Sequence, residues 1–159
     1  MDAPQPDRIS LADLTVVEWG RGIAPAYAGR ILADFGAKVR RVRSPQPTPG
    51  EASGAARAFL HSGKEDVPAG EADAALASAD IVIEDLSSEA AFDVAAAMRG
   101  NPRLVVASVS PFGLTGPYAG FRGGDLEVAF LSGLSHLTPR DIARPEGGEL
   151  PSPLKLPGS

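Results

Sequence analysis

The sequence contains no cysteine. That excludes disulfides, thiolate metal ligands and cysteine nucleophiles, and it fits a reducing, cytoplasmic setting. Histidine occurs only at His61 and His136, and nothing near either completes a triad or a metal site. No catalytic residue and no metal ligand is therefore assigned. Basic charge is also short. Fifteen Lys and Arg face 20 Asp and Glu, for a net charge of −5, which argues against nucleic acid as a partner. No apolar run approaches the roughly 20 residues that span a bilayer, and the polar start MDAPQPDRIS lacks a signal-peptide core. The expectation is a soluble cytoplasmic protein with no membrane partner.

What is present is globular. Hydrophobic residues make up 43% of 159 residues, enough for one domain with a useful core. Leu14 to Trp19 (LTVVEW) reads as a first strand, followed by Gly20 and Gly22. Pro25 suits the first turn of a helix that carries Tyr27, Ile31, Leu32 and Phe35 at helical spacing and stops at Gly36. Val39 to Val42 reads as a second strand, Asp80 to Glu84 (DIVIE) as a third, and Leu104 to Val109 (LVVASV) as a fourth, buried one. Ser44 to Gly54 is loop by composition. Helical signals cover Ala55 to Leu60, Glu71 to Ala79, Ser88 to Arg99 (with Phe92, Ala96 and Met98 as apolar positions) and Leu126 to Leu134. After Thr138 come five prolines and no periodicity.

Strands alternating with helices imply an α/β fold: a Rossmann-like open parallel sheet with helices on both faces. Ligands of such sheets bind at the carboxyl ends of strands, near a topological switch point. The unusual residues cluster there: Gly20 to Pro25, Arg41 to Ser44, Asp85 to Ser87, and the stretch Ser108 to Asp125 with its five glycines and two prolines. One reading of GRGIAP is a partial dinucleotide fingerprint. Its third glycine position is Pro25, and Arg41, Val42 and Arg43 stand where the ribose-binding acid belongs. An NADP-dependent oxidoreductase is the corresponding alternative.

Longer words carry a more specific signal. LTVVEWGRGIAPAYAGRILADFGAKVRRV, LHSGK, ADIVIEDL, NPRLVVASVSPFGLTGPYAGFRGGD and LSGL occur in that order across most of residues 12 to 138. Together they resemble the amino-terminal portion of the family III CoA-transferases. The resemblance implies coenzyme A or acyl-CoA as substrate, with no tightly bound cofactor, a small carboxylic acid as second substrate, and an interlocked homodimer or a complementing chain. It places Ile23, Ala24, Ser44, Asp85, Leu86, Ser87, Phe121, Arg122, Gly123 and Gly124 on CoA-contacting positions. It further implies a CoA-binding domain over residues 1–138 and a tail over 139–159 that leads toward a second domain.

Asp125 reads either as an acid near the thioester or as a helix N-cap, and the cap is the simpler account. The racemase branch of the family carries a catalytic histidine just before this position. Gly124 stands there, which argues for transfer over racemization. Other departures are Arg43 for the acid closing the second strand, and DLSSE for the family's Asn-Phe-Arg-Pro-Gly pattern. Transferases of this family use an aspartate that becomes an acyl anhydride. The resemblance puts that aspartate just beyond residue 159. A non-catalytic CoA-binding scaffold or degenerate paralogue is the remaining alternative.

Overall fold

Five parallel strands build the sheet, in the order β3-β2-β1-β4-β5. The computed structural model describes residues 10–43, 54–85 and 93–134. The strands are β1 (Thr15–Trp19), β2 (Lys38–Val42), β3 (Lys64–Val67), β4 (Ile81–Asp85) and β5 (Val105–Val109). Helices α1 (Ile23–Asp34) and α2 (Gly54–His61) alternate with the first three strands. Helices α3 (Ala72–Ala77) and α4 (Val94–Gly100) flank β4, and α5 (Asp125–Leu131) follows β5. Two compact units result, residues 1–109 and 110–159. The boundary expected at 138 lies outside the described residues.

Both faces of the sheet are covered because successive side chains of one strand point to opposite sides. Val16, Val39 and Ile83 pack with Leu14, Ala28, Leu32 and Ala33 beneath α1. Val17, Val67 and Val82 pack with Ala75, Leu76, Ala97 and Leu104 on the side of α3 and α4. Each fully buried valine contributes about 1.5–3 kcal/mol relative to exposure. The chain crosses from one face to the other between β3 and β4, so strand order reverses at the β1–β4 pair. That pair runs in register from Val16↔Ile81 to Trp19↔Glu84.

Four expectations need correcting. Strand β3, KEDV, is absent from the sequence reading because it has almost no apolar signal; it is an edge strand held by β2, and Val67 is its one buried apolar residue. Of the large residues expected to face the core from α1, Leu32 packs there, but Tyr27, Ile31 and Phe35 are exposed. The helix lies on the sheet through Pro25, Ala26 and Gly29, small residues that let its backbone come close. The fourth strand of the sequence, now β5, is a half-exposed edge with Val105 59% exposed, and only Leu104, just before it, is buried. Met98 is exposed on α4, and Phe92 lies outside the described residues.

Candidate functional site at the carboxyl edge of the sheet

The switch point is where β1 and β4 end side by side. After β1 the chain turns through Gly20, Arg21 and Gly22, and Gly22 is the N-cap of α1. Four amides at a helix start have no partner within the helix. Here the carboxylate of Asp85, the last residue of β4, reaches across the switch point. It accepts the Arg21 N–H at 3.1 Å and the Gly22 N–H at 2.5 Å. A negative charge at this end of a helix is also favoured by the helix dipole. A Cβ on Gly20 or on Gly22 would overlap the Asp85 carboxylate, so a side chain at either position would push that carboxylate off the turn. The glycines thus make room for an internal carboxylate. Asp85 is buried, 8% exposed, whereas Ile23 and Ala24, one step along, face solvent.

Under α1 lies a buried ion pair. Lys64 Nζ donates to Glu18 Oε2 at 2.5 Å and to the Ala26 carbonyl at 2.6 Å. The side chains are 1% and 3% exposed. Burial pushes the Glu18 carboxyl up and the Lys64 ammonium down from their ordinary values, each against the attraction of the other. A Cβ on Gly29 would stand 2.6 Å from Glu18 Oε2 and 3.1 Å from Lys64 Nζ. The pair therefore ties β1, β3 and the first turns of α1 into one rigid corner.

Beside that corner, an open cavity of ≈430 Å³ is lined by Arg41, Arg57, Ala58, His61, Ser62 and Asp66, with Gly54 at its rim. Arg41 Nε donates to Asp66 Oδ1 at 2.9 Å, and Arg43 Nε stands 3.8 Å from Asp66 Oδ2. Partial burial works against ionisation of Asp66, but the hydrogen bond and charge of Arg41, with Arg43 behind, hold its carboxyl below the ordinary value. Arg41, Arg57 and His61 thus line this cavity with a single acid, Asp66. Sequence reasoning missed Arg57 and found no triad or metal site around His61, because the cavity exists only once β3 is in the sheet. The one signal was the run of arginines at 40, 41 and 43. On the opposite face a second open cavity, of ≈360 Å³, is lined by Trp19, Leu76, Ala97 and Asn101, with Asp73 and Asp93 among its walls.

In the second unit, Phe121 is 61% exposed and meets Tyr118 edge to face at 5.4 Å. Arg122 is exposed next to it. Gly113 and Gly116 have φ of 82° and 93°, a left-handed backbone that glycine adopts without strain. Gly123 answers to packing: a Cβ there would come within 2.6 Å of the Phe112 ring. Asp125 is not the N-cap. Gly124 holds that position, and Glu127 reaches back to accept the Gly124 N–H at 2.8 Å. Asp125 is instead the first residue of α5, where a negative charge suits the helix dipole. Of the positions the resemblance singled out, Ile23, Ala24 and Asp85 meet at the switch point. Phe121 to Gly124 form one continuous loop, and Ser44, Leu86 and Ser87 lie outside the described residues. Among the described residues no three His, Cys, Asp or Glu come together to hold a metal ion, and no helix is long and apolar enough to cross a membrane.

An open parallel sheet with helices on both faces, its strand order reversing at the β1–β4 pair, defines a Rossmann-like class. The sequence profile of CoA-transferase family III matches residues 11–152, and the chain belongs to that family. It is 31% identical over 162 residues to succinate–glutarate CoA-transferase of Agrobacterium fabrum, an alignment covering 85% of this chain and 40% of that protein. A shorter stretch of 47 residues is 49% identical to subunit BbsE of succinyl-CoA:(R)-benzylsuccinate CoA-transferase from Thauera aromatica, covering 30% of this chain and 12% of that one. Among solved structures, a CAIB/BAIF family protein from Brucella suis superposes with a TM-score of 0.72 at 27% identity, over 92% of this chain and 43% of that one. A Mycobacterium tuberculosis protein with TM-score 0.64, over 82% of this chain and 42% of its own, is 24% identical and shares the fold. The chain thus spans about two fifths of the length of the curated relative that it matches over most of its own sequence.

Proposed function

We propose that this chain forms the CoA-binding part of an enzyme that moves CoA between an acyl-CoA and a small carboxylic acid. The observation that carries the reading is the basic cavity of Arg41, Arg57 and His61 between β2, β3 and α2. Coenzyme A has a phosphorylated adenosine end and a long neutral arm. Guanidinium groups suit the first through charge-assisted, forked hydrogen bonds. Ile23 and Ala24, exposed at the start of α1, suit the second. Ser44, Asp85, Leu86, Ser87 and the Phe121–Gly124 loop complete the proposed contacts, with Asp85 acting by holding the turn.

The transfer in this reading runs through an aspartyl anhydride. A carboxylate attacks the thioester carbonyl and CoA leaves as thiolate. The thiolate opens the anhydride at the aspartyl carbonyl and releases the first acid. The second acid displaces CoA to form a new anhydride, which the thiolate opens at the acyl carbonyl to give the new acyl-CoA and the free aspartate. The matched relative is longer than this chain, which covers 40% of it. We assign the nucleophilic aspartate to that further length, and the pairing of subunits, as homodimer or with a complementing chain, likewise. The absence of cysteine supports a cytoplasmic setting. An NADP-dependent reading loses its ground where Asp85, rather than a pyrophosphate, accounts for Gly20 and Gly22. Side-by-side calorimetric titration with CoA and NADPH tests the proposal. Saturable CoA binding, weakened about tenfold or more by Arg57→Ala through loss of one charge-assisted contact, is expected. Saturable NADPH binding without CoA binding would overturn it.

A further inference from the structure

Helix starts that receive phosphate share a simple device: free amides aimed at an empty space over glycine. The β1–α1 turn has the glycines and the amides, but the space is taken. Asp85 ends on the Arg21 and Gly22 amides, and its carboxylate lies where the Cβ atoms of residues 20 and 22 would be. A phosphate arriving there meets no open donor at those two amides, a filled volume, and a like charge. The elements on either side of this turn are fixed as well, since Lys64 donates to Glu18 in β1 and to the Ala26 carbonyl in α1. The acid cannot simply swing aside into the core, because Val16, Val39 and Ile83 fill that side of the sheet.

Resting on the CoA-binding reading, we propose that Asp85 is a specificity-determining residue that reserves the β1–α1 turn for an uncharged portion of the ligand. Phosphate groups are thereby directed to the arginine-lined cavity between β2, β3 and α2. The ligand class at Ile23 and Ala24 is a neutral amide or thioester chain. The chain's aspartate at this position, where the family resemblance has an asparagine, makes the exclusion one of charge as well as shape.

Inorganic pyrophosphate is the probe, because it reads the turn whether or not CoA binds. In ¹⁵N-labelled protein, the amides of Arg21, Gly22 and Ile23 are expected to stay fixed as pyrophosphate is added. In Asp85→Ser the same amides should shift saturably, with affinity at least about tenfold above wild type, since two donors and the space above them are freed. Asp85→Asn keeps the shape without the charge and should gain part of this; it carries the test if the serine variant fails to fold. Saturable shifts of the Gly22 and Ile23 amides in the wild-type protein would overturn the proposal, as would no gain in a folded variant. Failure of CoA to bind would instead strike the functional reading and leave this result standing.

Discussion

Two glycine-bearing segments of this chain look alike in sequence and differ in cause. In the first, residues 20–29, each of Gly20, Gly22 and Gly29 lies against an acidic side chain: Asp85 for the first two and Glu18 for the third. In the second, residues 113–124, Gly113 and Gly116 answer to backbone conformation, Gly123 to an aromatic ring, and Gly120 to nothing within 4 Å. The first segment is a rigid corner organised around buried charge. The second is a loop whose exposed members, Phe121 and Arg122, face solvent. Glycine content alone therefore does not reveal a ligand; what a Cβ would strike tells the two apart.

The comparison breaks most severely at the charge beneath the first segment. Lys64→Met leaves Glu18 buried without its partner and should cost about 3–5 kcal/mol, read from the urea midpoint. Replacing both residues by apolar ones of similar size should recover most of that loss. Gly22→Ala comes next: a methyl group forced into the Asp85 carboxylate should cost about 1–3 kcal/mol. In the second segment Gly123→Ala should cost about 1 kcal/mol at most, because the Phe112 ring is a side chain that is able to turn aside. Gly120→Ala meets open space and should stay within about 0.5 kcal/mol. If Gly22→Ala and Gly120→Ala prove equally mild, the distinction between the segments fails.

The smallest effect sharpens the second segment by pH. Hydrogen bonds from its own amide and from the Gly124 N–H hold the Glu127 carboxyl below its ordinary value. A depressed carboxyl contributes stability above its unfolded pKa and loses it as pH falls through the folded one. The start of α5 should therefore loosen only below the usual carboxylate range. The Gly124 amide shift, followed against pH, should report that transition, and Glu127→Gln should abolish it.

Most of the sheet was legible because four of its strands carry β-branched runs between turn signals, as LTVVEW and DIVIE do. Strand β3 was not, since KEDV draws its place from pairing with β2 and from the burial of Lys64, neither of which leaves an apolar period. The packing face of α1 was misread for a related reason. Tyr27, Ile31 and Phe35 have helical spacing, yet the close approach needed by Gly29 over the Glu18–Lys64 pair puts small residues inward. The placing of the β1–α1 turn beside the end of β4 followed from alternation of strand and helix. The role of Asp85 did not, because a contact spanning 63 or 64 positions leaves no local trace. The cavity of Arg41, Arg57 and His61 was hidden with β3.

The most direct test of the central claim is an amide-shift titration of the ¹⁵N-labelled chain with CoA. The account predicts saturable shifts at Ile23 and Ala24 together with Arg41, Arg57 and His61. Shifts confined to Trp19, Leu76 and Asn101, around the cavity on the opposite face, or no saturable response at all, would contradict it.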